Sequence, residues 1–145
     1  MNSATQVIIV EQILNVSVDK AWKAITNLEE MKQWFFTNIP SFEARVGFQT
    51  SFPVLSGEST FTHLWEILEA VPNKKIKYRW SYKEYEGDGK VTFELFDKGS
   101  QTLLRLTNEG LESFPQNIPE FERDSCVAGW EFFVKGTLRN YLENK

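Results

Sequence analysis

Along residues 75–84, apolar and polar positions alternate. Ile76, Tyr78, Trp80 and Tyr82 interleave with Lys75, Lys77, Arg79, Ser81 and Lys83. Successive side chains of a strand point to opposite faces, so this stretch predicts a strand with one aromatic, buried face and one solvated face. Val91, Phe93 and Leu95 continue an apolar face on the next strand, opposite Thr92 and Glu94. Turn signals fall at Ser56-Gly57, Val71-Pro72-Asn73, Glu86-Gly87-Asp88-Gly89 and Lys98-Gly99-Ser100. They separate five strands, placed near 43–53, 60–71, 75–84, 90–97 and 101–108. Such regular hairpin spacing predicts an antiparallel meander.

Upstream, QVIIVEQIL at 6–14 is β-branched and compact, and predicts a first strand. The period then changes. In VSVDKAWKAITNLEEMKQWFF, Ala21, Trp22 and Ile25 stand at helical spacing behind a cap at Ser17 or Asp19. Asn27 and Glu30 have the spacing of a capping box for a second short helix through Trp34. After Asn108, Pro115 and Pro119 mark a loop, and Asn117 with Glu120 place a helix onset near 118.

The closing stretch, CVAGWEFFVKGTLRNYLEN at 126–144, predicts a long helix with a bulky stripe of Val127, Trp130, Val134, Leu138 and Tyr141. Gly129 and Gly136 interrupt it, each costing about 1 kcal/mol relative to alanine. With Cys126 they form a narrow stripe of small residues. Two readings stand side by side: close packing against aromatic strand residues, or roof space above a ligand cavity. The order of elements is strand, two short helices, five strands, long helix. That is an α+β fold in which only the last helix is long enough to cover the sheet's dry face.

Composition sharpens this. The chain has 145 residues without repeats, low-complexity segments or a linker, and reads as a single domain over 1–145. Net charge is −4 with scattered Lys and Arg, against the clustered basic footprint of a nucleic-acid binder. One cysteine and one histidine supply neither a disulfide nor a metal-ligand set, and no cofactor is expected. The N-terminal residues do not read as a signal peptide and no apolar run approaches a membrane span, so the expectation is cytoplasmic. The outlying figure is 12 Phe, 5 Trp and 4 Tyr. Either the core is unusually aromatic or the aromatics line something.

VDKAWKAITNLEEMKQWF, VGFQTSF at 46–52, WEILEAVPNKKIKYRWSY at 65–82, LLRLTNEGL at 103–111 and GWEFFVKGTLRNYLE at 129–143 follow in an order and spacing that resemble a known family. Together they are similar to the SRPBCC superfamily (the START or birch-pollen-allergen fold), and within it to the domain of the activator of heat shock protein 90 ATPase. The resemblance covers nearly the whole chain. It implies a helix-grip fold: a curved six-stranded antiparallel sheet wrapped around a long C-terminal helix, often with a cavity between them. Bacterial members often carry His where this chain has Asn108, and a second His where it has Ser125 or Cys126. A polar function tied to those histidines is not expected here. The chaperone activator also has a separate N-terminal domain for which this chain has no room.

In such a fold Tyr78, Trp80, Tyr82, Phe93, Leu95, Leu104 and Leu106 share the inner face, as core or as walls for a flat apolar ligand. Trp34, Phe35 and Phe36 fall at the usual cavity mouth. Three aromatics in a row cannot all face inward, so at least one should be exposed or rim a pocket. Phe48, Trp65 and Asn108 from the sheet side, and Cys126, Gly129, Trp130, Phe133 and Gly136 from the helix, complete the candidate lining.

His63, in FTHLWEIL, sits on a strand whose inner face the pattern leaves unassigned. Inward, it would act as a base or orient a ligand; outward, it is an ordinary strand histidine. Cys126 lacks an activating neighbour and reads as an inert thiol. Glu11, Glu66, Glu69 and Glu109 would have raised pKa values if turned into a cavity, although strand glutamates usually face water.

Three functions follow. The first is non-covalent binding of a small hydrophobic or aromatic ligand. The second is a chaperone-associated interaction domain that uses the aromatics near Trp34–Phe36. The third is an enzyme, since relatives of the fold include cyclases and hydrolases; no catalytic constellation supports it, and it ranks last. The expected assembly is a monomer or weak homodimer.

Overall fold

The computed structural model describes residues 7–143; Gln6, assigned above to the first strand, and Asn144 of the last helix lie outside it. β1 (Ile8–Leu14) leads into α1 (Val18–Thr26) and α2 (Leu28–Trp34). β2 (Gln49–Ser56), β3 (Ser59–Val71), β4 (Lys75–Tyr82), β5 (Tyr85–Asp97) and β6 (Thr102–Glu109) follow. All neighbours pair antiparallel in the order β1-β6-β5-β4-β3-β2, so the first strand closes the meander beside the last. The fold is the predicted α+β grip.

The alternation seen in the sequence is what the sheet buries. Ile76, Tyr78, Trp80, Val91, Phe93, Leu95, Leu104 and Leu106 are all buried on the inner face. β3 contributes Phe61, His63, Trp65 and Ile67 to the same face, which settles the strand that the pattern left open. The four glutamates do not turn inward. Glu11 pairs with Arg105, Glu66 with Arg79 and Glu69 with Lys75, while Glu109 is exposed.

Three boundaries differ from expectation for identifiable reasons. Phe48 precedes β2, because Gly47 (φ +91°) ends the connecting loop only there. The segment Glu86–Gly89 is no turn; it lies inside β5, and the β4–β5 hairpin closes earlier at Lys83-Glu84. Its glycines instead make room for the Phe114 ring, which a Cβ at Gly87 would strike. The Asn117/Glu120 signal gives only a 3₁₀ turn, Pro119–Phe121, and helix proper begins at Arg123. By contrast, the capping pair at α2 holds: Asn27 Oδ1 accepts from the Glu30 backbone N–H at 3.2 Å.

α3 (Arg123–Glu131) continues through a π-helical stretch (Phe132–Leu138) into α4 (Arg139–Glu143). Trp130, Val134, Leu138 and Leu142 are buried at every fourth position. In a helix of 3.6 residues per turn that stripe would drift by about 40° at each step. The wider π turn takes up the drift and keeps all four on the sheet. Thr137 Oγ1 donates to the Trp34 carbonyl at 2.6 Å and Tyr141 Oη to Glu30 at 3.0 Å, so this rod is tied to α2.

Candidate functional site

The hollow between sheet and helix is divided. At one end the aromatic run after α2 turns inward and fills it. Phe35, 7 % exposed, stacks on Trp34 at 4.6 Å between centroids and meets Phe133 edge-on at 4.9 Å. Trp65, Trp80, Phe93 and Trp130 surround it at 5.6–6.3 Å. Trp34 Nε1 donates to the Ala24 carbonyl at 2.8 Å, which anchors the run. Trp65 Nε1 is the only enclosed polar side-chain atom without a partner among the described residues, and it sits among rings.

At the other end a cleft of about 160 Å³ remains. The sheet supplies His63, Trp80, Tyr82, Gly89 and Asn108; the helix supplies Cys126, Gly129, Trp130 and Phe133. Phe36 forms the rim shared with the filled end. Leu111, Phe114, Glu120 and Phe121, from the loop between β6 and α3, close the remaining side. Phe114 and Phe121 meet at 5.1 Å between centroids, their planes tilted by 31°, and pack with Phe61 in a small second core, which holds that loop over the sheet. Larger hollows of 540 and 660 Å³ lie elsewhere, bordered mainly by charged and polar residues, and do not enter the sheet–helix space.

The structure therefore brings Trp80, Tyr82, Asn108, Cys126, Gly129, Trp130 and Phe133 to the cleft. Trp34, Phe35, Trp65, Tyr78, Phe93, Leu95, Leu104 and Leu106 are core beside or beneath it. Phe48 packs on Phe42 near β2, away from the cleft. Gly136 does not line it either. Close packing does not explain the helix glycines, because a Cβ at Gly129 or Gly136 would meet nothing within 4 Å. The loop residues Leu111, Phe114 and Phe121 were missed. Their signal was the pair of glycines flanking Asp88, read as a turn instead of a seat for Phe114.

His63 is the polar centre of the cleft. It is 6 % exposed, stacked on Phe52 at 5.2 Å and set edge-on to Tyr82 at 4.8 Å. Its Nδ1 lies 3.0 Å from the Phe61 carbonyl. A carbonyl only accepts, so Nδ1 carries the proton and Nε2 holds the lone pair. Burial pushes the ring's pKa down to about 4, against smaller opposing effects of the Phe61 carbonyl and Glu84. The ring is neutral at pH 7.

Tyr82 Oη accepts from Trp80 Nε1 at 2.9 Å, and burial raises its pKa far above the ordinary phenol range. Burial likewise pushes the Cys126 thiol up to about 11, so it is protonated and a poor nucleophile. Among the described residues no group of three His, Cys, Asp or Glu is placed to hold a metal. The arrangement has ring walls, a neutral acceptor and a phenol donor.

Comparison with known proteins follows the same lines. The family described as Activator of Hsp90 ATPase homolog 1-like protein matches residues 15–143. A crystal structure of a Chromobacterium violaceum protein superposes with a TM-score of 0.80 at 21 % identity, covering 96 % of this chain and 98 % of that one. The solution structure of the Aha1 dimer from Colwellia psychrerythraea gives 0.70 at 19 % identity, covering 94 % and 96 %. DynU16, from the dynemicin biosynthetic locus, gives 0.74 at 26 % identity, covering 94 % of this chain and 47 % of its own. No curated protein matches.

Proposed function

This chain belongs to the family of Activator of Hsp90 ATPase homolog 1-like proteins, and within that family we propose that it binds a small hydrophobic or aromatic molecule between the sheet and the C-terminal helix. The observation that carries the reading is the 160 Å³ cleft left open beside an otherwise filled aromatic hollow. Sites for small molecules are concave, mostly apolar and furnished with a few placed polar groups, which is the make-up of this one. Burying a ring at about 25 cal/mol per Å² supports an affinity of micromolar to millimolar order.

The test is thermal melting against a panel of small aromatics, lipids and polyketides. A melting point that climbs with ligand concentration supports binding by mass action. A flat response across the panel would sink the reading.

A second reading is a chaperone-associated interaction domain. Family membership favours it, as does Phe132, which is 61 % exposed on the helix beside the cleft. It expects the protein to change the ATPase rate of the chaperone from its own cell, and an unchanged rate at saturating protein counts against it. Among the described residues no helix is long and apolar enough to cross a membrane. A monomer or weak homodimer remains the expected assembly, which sedimentation would check.

A further inference from the structure

Resting on the ligand-binding reading, we infer that the cleft selects a single-ring hydroxyarene, a molecule of the phenol class, whose hydroxyl donates to His63 Nε2. Size comes first. A cavity of about 150 Å³ is enough for one benzene ring, and the cleft measures about 160 Å³. A fused bicyclic or an acyl chain needs space that Phe35 and Phe36 already occupy at the filled end.

Polarity comes second. With Nδ1 committed to the Phe61 carbonyl, Nε2 is an acceptor with no partner among the described residues. Every fully enclosed, unpaired side-chain nitrogen or oxygen among those residues reduces to Trp65 Nε1 alone. Nε2 therefore still touches open space, and the open space that His63 borders is this cleft. A ligand that covers Nε2 without supplying a donor leaves that acceptor buried and unpaired, which costs more than its bond gains, so the site favours a ligand that supplies a donor.

The complementary group stands beside it. Tyr82 Oη uses its oxygen to accept from Trp80, while its own proton has no acceptor among the described residues. A hydroxyl donates and accepts at once, and so answers both. A carboxylate does not: it has no proton to donate and would bring a negative charge to the Nε2 lone pair. Ring faces of Trp80, Trp130 and Phe133 supply the rest of the recognition.

The experiment uses phenol, toluene and benzoate on the untagged protein, with affinities from calorimetry or NMR titration for the wild type and His63→Phe. Phenylalanine keeps an aromatic ring against Phe52 and removes both ring nitrogens, the Nε2 acceptor together with the Nδ1 donor to Phe61. Because toluene and phenol differ in hydration, the readout is the change in their affinity ratio between wild type and variant, in which that difference cancels. The phenol-to-toluene ratio is expected to fall about five- to tenfold in the variant, with benzoate bound by neither. His63 is the chain's one histidine, so its Nε2 ¹⁵N resonance is unambiguous in the wild type even if the variant fails to fold. Phenol should move that resonance and toluene should leave it.

Binding of both arenes with an unchanged ratio and a still Nε2 signal overturns the hydroxyl selection and leaves the ligand-binding reading standing. Benzoate binding as tightly as phenol overturns it as well. If no arene binds up to its solubility, the inference falls, and a flat melting panel would then take the ligand-binding reading with it.

Discussion

The two ends of the hollow share one sheet and one helix, and both are walled by aromatic rings, yet one is solid and the other open. At the solid end Phe35 touches Trp34, Trp65, Trp80, Phe93, Trp130 and Phe133. At the open end the facing residues are His63, Tyr82, Cys126 and Gly129, and no side chain enters from α2. An aromatic surplus is thus not a ligand signal in itself. Most of the rings fill the space that the fold would otherwise leave. What the open end lacks is a plug: Cys126 and Gly129 on its helix side are too small to fill the space.

The sharpest way to break this contrast is to empty the solid end. Phe35→Ala should cost about 3–5 kcal/mol, read from urea unfolding, because the rings around it cannot close the void. A loss below about 1 kcal/mol would show that the end is not packed through Phe35.

The open end can be addressed through protons. His63 has a folded pKa near 4 against 6.5 for the free side chain, so as pH falls the unfolded chain takes up its proton first. The stability is complete above about pH 6.5 and is lost progressively down to about pH 4, by about 3 kcal/mol in all. Unfolding free energies of the wild type and His63→Phe, measured across that window, should diverge by this amount. Parallel curves would place the imidazole in water.

A smaller effect tests the wall of the cleft. Gly87 has φ +133° and faces the Phe114 ring, so Gly87→Ala should cost about 1–3 kcal/mol and speed proteolysis of the 110–122 loop. Protection as in the wild type would mean that Phe114 does not anchor that loop. Smallest is Gly129→Ala, which should stabilise the helix by about 0.5–1 kcal/mol, since its Cβ meets nothing. Any destabilisation there would revive close packing as the reason for the glycine.

The sheet was legible because alternation at Ile76–Tyr82 and Val91–Leu95 is imposed by the pleat itself. The strand carrying His63 was not, since Thr60, Thr62 and His63 blur the polar–apolar contrast until pairing with β4 decides it. The filling of one end was hidden for another reason: three successive aromatics say that at least one is exposed or rims a pocket, but not which one becomes the plug. The π turn did leave a trace. Buried positions at 130, 134, 138 and 142 keep a spacing of four that an ordinary helix cannot hold on one face. Glycines, read from sequence, stood for a turn at 87 and for close packing or roof space at 129. In space the first seats a ring and the second borders emptiness.

That emptiness at Gly129 has an evolutionary side. The position borders the cleft but no core side chain touches it. Side chains of increasing size can enter there without first crossing a stability threshold, because the opening step, glycine to alanine in a helix, is itself favourable. Descendants of this sequence can therefore retune what the cleft admits, by one mutation at a time, while the rest of the grip stays as it is.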